Sequence, residues 1–242
     1  MLNRIITLDE VDSTNNYLKL NRGKLPDGTL VTARIQTAGK GRRGHEWLAD
    51  QGMLPLSLLL KQPPHPDTLT LCAGVAVCEA LEPLLPGEEL GIKWPNDIIL
   101  RGHKLCGILC ESVCFGSSMD IVCGIGVNLA QTAEFFEKAN IPHGGSVEML
   151  TGVTINDRDK LAEDIVERLY SYSRSGFESV REKYVKRCLT VGKKIRIIEN
   201  GSEREAFAEG IAPNGFLICS DENGRFEVNS GEVSVRGLMD YI

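Results

Sequence analysis

Three Asn-Gly dipeptides, Asn200-Gly201, Asn214-Gly215 and Asn223-Gly224, punctuate short apolar segments toward the C-terminal end of the sequence. Two-residue hairpin turns need backbone at positive φ, which Asn and Gly adopt at least cost, so this pattern dictates antiparallel strands. The spacing predicts strands over Lys193–Ile198, Ala206–Ile211, Phe216–Ser220, Phe226–Val228 and Val233–Val235. Roughly 50 residues of such strands form a small barrel appended to a larger body. The change of character after Cys188 divides the chain into domains at residues 1–188 and 189–242. A length of 242 residues accommodates one or two domains with a core that needs no staples.

The first 188 residues read differently. Asp12, Ser13, Thr14 and Asn15 put capping-type residues ahead of Tyr17, Leu18 and Leu20, which predicts a short helix. Thr29–Gln36 alternates as a strand and feeds a glycine-rich basic loop over Thr37–His45. Leu54–Leu60 is the next strand, with Pro55, which cannot donate to a ladder, at its start or on an edge. Asp67 caps a helix from Thr68 to Leu84 whose stripe is Leu71, Val75, Cys78, Leu81 and Leu85. Ile98–Leu100 and Leu105–Cys110 flank a hairpin-like break, and Ile121–Leu129 is a further buried strand. Leu161, Ile165, Leu169 and Tyr172 mark one helical face and Phe177, Val180, Tyr184 and Cys188 another, covering one face of the sheet. The fold class is therefore α+β, a mixed sheet covered by helices.

Composition removes whole classes of function. With 27 Lys and Arg against 33 Asp and Glu, a net charge of −6 argues against a binder of nucleic acid driven by bulk positive charge. Any basic site must be local. The longest nearly apolar stretch, Met53–Leu60, falls far short of the ~20 residues that span a bilayer. Met1–Asp12 lacks the basic head and apolar run of a secretory signal, so a cytoplasmic location is expected. The eight Cys lie mostly inside apolar runs, as reduced, buried thiols do. Cys106, Cys110 and Cys114 are four apart, and on a strand neighbours at that spacing sit ~13 Å apart, too far to share one zinc.

The chemistry concentrates in a few motifs. Gly39-Lys40-Gly41-Arg42-Arg43-Gly44 fits G-x-G-x-x-G, but no helix opens directly after it, so the dinucleotide-binding reading fails on context. What remains is a loop of three glycines and three cations suited to phosphate oxygens. Lys93-Trp94-Pro95-Asn96-Asp97 packs a cation, an indole, an amide and a carboxylate together, and Asp97 is a natural Mg²⁺ ligand beside phosphates. Trp94 reads as core. Lys104, near Gly107, joins the loop cations and Asp97 in a set able to gather charge for phosphoryl or adenylyl transfer. Gly124-Ile125-Gly126-Val127-Asn128 adds a second bare-backbone strand. There is no G-x-S-x-G and no H-E-x-x-H, so hydrolase and zinc-peptidase readings lose support.

Asp12-Ser13-Thr14-Asn15, the GKGRRG loop after Gln36, KWPND, KLCGIL and GIGVNL occur in the order found in biotin protein ligases, and the sequence resembles that family from Asp12 to Leu129. Gly231–Arg236 is similar to the end of the family's small C-terminal barrel. The resemblance implies an α/β catalytic core with an SH3-like barrel. It also implies activation of biotin by MgATP to biotinyl-5′-adenylate and pyrophosphate, then transfer to a lysine of a biotin carboxyl carrier protein domain of the acetyl-CoA carboxylase type. By position, Ser13, Thr14, Asn15 and Gln36 would serve the biotin ureido ring. Gly39, Lys40, Gly41 and Arg42 would continue along biotin, with Lys104, Gly107 and Leu109. Arg42 and Arg43 would hold the α-phosphate, and His45, Trp47, Asn96, Lys104 and Asn128 would complete the ATP site. Lys104, Arg42 and Asp97 would be the catalytic group, with Asp97 helping to hold Mg²⁺ and Arg236 approaching nucleotide or carrier.

Three positions depart from the family pattern. Lys40 and His45 stand where Arg is usual, and Pro55 where an aromatic is frequent, which puts the local ladder in question. Regulatory members of the family carry an N-terminal DNA-binding domain, whereas twelve residues precede Ser13 here, so a ligase without DNA binding is expected, and no membrane partner. A homodimer through a sheet edge stays open. The rival readings are a lipoate ligase, sharing the chemistry, and a non-catalytic biotin-binding module.

Overall fold

The structure, a computed structural model, describes residues 2–44, 46–48, 50–116, 118–199, 202–229 and 234–237. The body opens with β1 (Arg4–Val11), α1 (Thr14–Asn21), β2 (Thr29–Gln36), β3 (Met53–Lys61) and α2 (Leu69–Leu81). It continues through β4 (Leu90–Lys93), β5 (Asp97–Leu100), β6 (His103–Phe115) and β7 (Ser118–Asn128). Four helices follow: α3 (Ala133–Lys138), α4 (Val147–Thr151), α5 (Arg158–Ser175) and α6 (Arg181–Arg187). Seven strands form one mixed sheet in the order β1-β2-β3-β7-β6-β5-β4, parallel only between β1 and β2.

Period-2 alternation splits this sheet into two unlike faces. Leu54, Leu56, Leu58 and Leu60 of β3 and Ile121, Cys123, Ile125 and Val127 of β7 point into the large core beneath α2 and α5. At ~25 cal/mol per Å² of apolar surface removed from water, each buried leucine stabilises the fold by about 2 kcal/mol. The opposite face is covered by α1 over only part of its length, where Leu18 meets Val31, Leu59 and Val122. Beyond that patch the face carries Gly107, Gly124 and Gly126, and a trough remains.

α2 is wrapped by sheet on one side and by α5 and α6 on the other, so that only Thr70 and Glu79 escape full burial. Packing rather than capping holds it. Asp67, expected as its cap, lies instead in a 3₁₀ turn over Pro66–Thr68, and Thr68 at the N-cap position makes no side-chain cap bond. The helix ends at Leu81, and a 3₁₀ turn over Glu82–Leu84 carries the chain onward. Pro55 also differs from expectation: it sits inside the central strand β3. The β2 ladder stops at Thr32↔Leu56, just short of Pro55, so no hydrogen bond to β2 is lost, and pairing to β7 runs unbroken from Met53 to Lys61.

The remaining strands are β8 (Lys194–Glu199), β9 (Ser202–Ile211), β10 (Leu217–Asp221), β11 (Gly224–Val228) and β12 (Ser234–Gly237). They form an antiparallel sheet in the order β11-β10-β9-β8-β12, consistent with an SH3-like barrel. The Asn214-Gly215 turn joins β9 to β10 with Gly215 at φ 84. The next turn falls one residue earlier than the sequence suggests, on Glu222 and Asn223, because Gly224 at φ 115 already pairs with Asp221. Asn200 and Gly201 lie outside the described residues, as do Gly231–Val233. Trp94 Nε1 donates to Gly215 O at 3.1 Å, tying the second sheet to the first through a fully buried indole. Among the described residues no helix is long and apolar enough to cross a membrane. Six of the cysteines are buried as expected, but Cys110 is half-buried and Cys114 is exposed, because β6 outruns the helices that cover its start.

Candidate active site

The trough is a cavity of about 550 Å³. Parallel pairing of Val11 with Gln36 brings the start of α1 beside the end of β2. Ser13 is the N-cap, its Oγ accepting from Asn16 N. Thr14 N donates to Gln36 Oε1 at 3.0 Å, and Thr14 Oγ1 lies 3.2 Å from the same oxygen. Asn15 reaches across to β6, where its Nδ2 donates to Leu109 O and to Glu111 Oε2. A Cβ at Gly124 would strike this amide, so the glycine is what admits it. Ser13, Thr14, Asn15, Gln36 and Leu109 all line this end of the cavity.

The basic loop leaves β2 as a continuation of the β1–β2 ladder, with Thr37 N on Val11 O and Ala38 N on Asp12 O. Lys40 and Glu46 close it as an isolated bridge. Trp47 N donates to Gly39 O at 3.0 Å, and a Cβ at Gly39 would run into the Trp47 carbonyl. Gly39 therefore shapes the loop and does not line the cavity. Trp47 lays its ring against Gly107 and Gly126, both of which lack the Cβ that would strike it. Arg42 donates to Asn96 Oδ1 at 3.0 Å, and burial pushes its guanidinium pKa down while Asp97 pushes back. Arg43 takes the left-handed conformation, φ 56. Lys40, Gly41, Arg42, Arg43 and Trp47 line the cavity, whereas His45 lies outside the described residues.

At the far end the β4–β5 hairpin pairs Lys93 with Asp97, and β6 sets Gly107 opposite Asp97. Lys104 Nζ lies 2.7 Å from Asp97 Oδ1 and 5.0 Å from the Trp47 ring centroid. The two-residue turn Arg101-Gly102 has positive φ at both positions, so Lys104 is a member of β6 rather than of the break before it. Its backbone is clamped from the other side, Lys104 N donating to His143 O and Gly145 N to Lys104 O. Asn96 is fixed by reciprocal bonds with Ile108. Asn128 does not line the cavity: it is buried beneath Lys104, its Nδ2 spent on Lys104 O and Gly145 O. These bonds brace the Lys104 backbone from below.

Residues that the sequence reading left without a role join them. Lys93 is buried in the lining, and desolvation brings its pKa down to about 8, with Asp97 opposing the shift and Lys104 and Arg236 adding to it. Its place in the KWPND run, beside Asn96 and Asp97, is the local signal that marks it. Glu111 follows Gly107 and Leu109 at period 2 on the same face of β6. The wall from Asn140 to His143 carries no local signal, since only the β6 pairing brings it there. The cavity therefore joins a hydrogen-bonding end to an end lined by the cations Arg42, Arg43, Lys93, Lys104 and Arg236, of which Arg42, Lys93 and Lys104 interact with the Asp97 carboxylate. Such an arrangement draws two anions together in a drying site.

Residues 8–128 match the biotin/lipoate A/B protein ligase family. The chain is 35% identical over 243 residues to the biotin–[acetyl-CoA-carboxylase] ligase of Paracoccus denitrificans, covering 95% of this chain and 100% of the relative. It is 33% identical over 219 residues to the ligase of the same name from Mycobacterium tuberculosis, covering 86% and 79%. Its backbone matches biotin protein ligase from Aquifex aeolicus in complex with biotin and ATP with a TM-score of 0.81 at 29% identity, covering 98% of this chain and 100% of the other. Fold and relatives together define a ligase. The chain belongs to the biotin/lipoate A/B protein ligase family.

Proposed function

We propose that this enzyme joins the carboxylate of biotin to the α-phosphate of ATP, releasing pyrophosphate, and passes the biotinyl group to a lysine ε-amine of an acetyl-CoA carboxylase carrier domain, releasing AMP. The observation that carries this reading is the position of Lys104. Its ammonium lies among the cations of the far end, held by Asp97 and the Trp47 ring. There it would meet both the acid's carboxylate and the α-phosphate, relieving the repulsion that opposes their union. Ser13, Thr14, Asn15 and Gln36 bind the ureido ring, with Lys40, Gly41, Gly107 and Leu109 along the chain of the acid. Arg42, Arg43 and Lys93 hold phosphates, and Arg236 reaches the same end from the second sheet.

Mg²⁺ fits this donor set in one way only. Among the described residues no cluster of three or more His, Cys, Asp or Glu could hold a metal alone. Mg²⁺, however, takes one or two carboxylates plus phosphate oxygens, and Asp97 is a lining carboxylate paired with Lys104. When bound with the nucleotide it would neutralise phosphate charge. Residues 1–188 form the biotin- and ATP-binding domain and residues 189–242 the barrel domain in this proposal. Eight free thiols suit a reducing compartment, which makes the cytoplasm the proposed location.

The test is biotin-dependent exchange of radiolabelled pyrophosphate into ATP, with lipoate and octanoate run in parallel. Exchange with biotin alone is the expected result. Exchange with lipoate and none with biotin overturns the substrate, and none with any acid overturns the adenylation step.

A further inference from the structure

Behind the hydrogen-bonding end lies an ion pair that the reaction does not touch. Glu111 Oε1 sits 2.8 Å from Lys19 Nζ, and Glu111 Oε2 accepts from Asn15 Nδ2 at 2.8 Å. The second amide hydrogen of Asn15 goes to Leu109 O at 3.3 Å, so both of its donors are spent. Reversing the amide would set its oxygen against a carboxylate and a carbonyl, which the Glu111 charge forbids. Asn15 Oδ1 must then face Ser57 Oγ, 2.6 Å away.

The remaining protons follow by counting. Asn15 Oδ1 has none to give, so the single Ser57 hydroxyl proton lies on that bond. The 2.7 Å contact between Ser57 Oγ and Thr14 Oγ1 is then filled by the Thr14 proton. Gln36 Oε1 takes the Thr14 backbone N–H at 3.0 Å and keeps a second lone pair. The Thr14 and Ser57 hydroxyl protons and one Asn15 amide hydrogen thus all run toward Glu111, and Thr14 Oγ1 and Gln36 Oε1, on two residues that line the cavity, are left as acceptors.

We propose that Glu111, clamped by Lys19, is a positioning residue that sets the direction of this proton chain and thereby makes the pocket select a ring carrying N–H donors. The inference rests on the biotin reading, whose cyclic urea supplies two such donors. Without the charge, Asn15 can turn, Ser57 and Thr14 can reverse their protons, and donor would face donor at the ligand. An acid whose ring lacks N–H groups gains nothing from the chain and loses nothing when it is scrambled.

The experiment compares biotin with an analogue methylated on its ureido nitrogens, by calorimetric titration of the full chain as wild type and as Glu111→Gln. The expected result is a loss of about tenfold in biotin affinity in the variant, with analogue affinity within about twofold of wild type. The KM for ATP in pyrophosphate exchange and the melting temperature should stay put. Equal weakening of both ligands would show a merely structural role and overturn the proposal, as would unchanged biotin affinity. If Glu111→Gln does not fold, Lys19→Met, which unclamps the carboxylate, must narrow the same ratio. Wild-type protein that binds no biotin would bring down the biotin reading itself, a failure distinct from a normal wild type with an indifferent variant.

Discussion

Lys104 Nζ and Asp97 Oδ1 stand 2.7 Å apart in the cationic end of the cavity, both side chains mostly out of solvent. The carboxylate holds the ammonium from a neighbouring strand, β5, and Asn96, in the turn just before that strand, is the partner of Arg42. One short hairpin therefore fixes a cation from β6 and another from the basic loop.

Replacing Lys104 by Ala removes the charge that faces the reacting groups. Biotin-dependent pyrophosphate exchange should fall by at least about tenfold, in kcat more than in the KM for biotin. Turnover close to wild type would remove Lys104 from the mechanism.

Lys93 links pH to stability. Its pKa of about 8 in the fold lies below the 10.5 of an exposed lysine, so between those values the unfolded chain holds a proton that the folded chain has released. Stability thus rises with pH across that window, and below it the burial of charge costs about 3 kcal/mol. Lys93→Met should be the more stable protein in urea at pH 7, with the gap shrinking by pH 9.5. Its KM for ATP should be raised at pH 7, where the wild-type ammonium is charged, and should lose the wild-type rise above pH 8.

Gly124→Ala plants a methyl group against the Asn15 amide, with Cγ at 2.8 Å and Nδ2 at 2.9 Å from the new carbon. Overpacking of this kind costs about 1–3 kcal/mol. Biotin affinity, measured by calorimetry, should drop while the KM for ATP holds. Gly126→Ala should act differently, by displacing Trp47 from its seat on β7.

Thiol reactivity should follow the cover over β6. Cys114 is exposed and should label first with a chromogenic disulfide, whereas burial pushes Cys72 and Cys78 up to about 12. Cys114→Ser should abolish the fast phase. A fast phase that survives would mean that the core opens on that timescale.

Much of this was written locally. The strand Thr29–Gln36 has the bounds its alternation predicts, and Ser13 caps the helix that its neighbours announce. Helix α2 was legible as a helix but not in its ends, because packing along almost its whole length outweighs the capping preference of Asp67. Asn128 was legible as the end of a strand, but only the loop ending at Gly145 decides that its amide braces the Lys104 backbone.

The sequence by itself determined the alternation of the sheet, the Asn214-Gly215 turn of the second sheet and the stock of cations, amides and glycines, all of which depend on neighbours a few positions apart. Tertiary structure decided which face of the sheet stays open, which glycines make room for Asn15 and Trp47, and which charge orients which amide. Those outcomes rest on pairs such as Asn15 with Glu111 and Trp94 with Gly215, about a hundred residues apart in the chain. Only closure of the sheets brings them within hydrogen-bond range, and no local preference encodes a contact of that span.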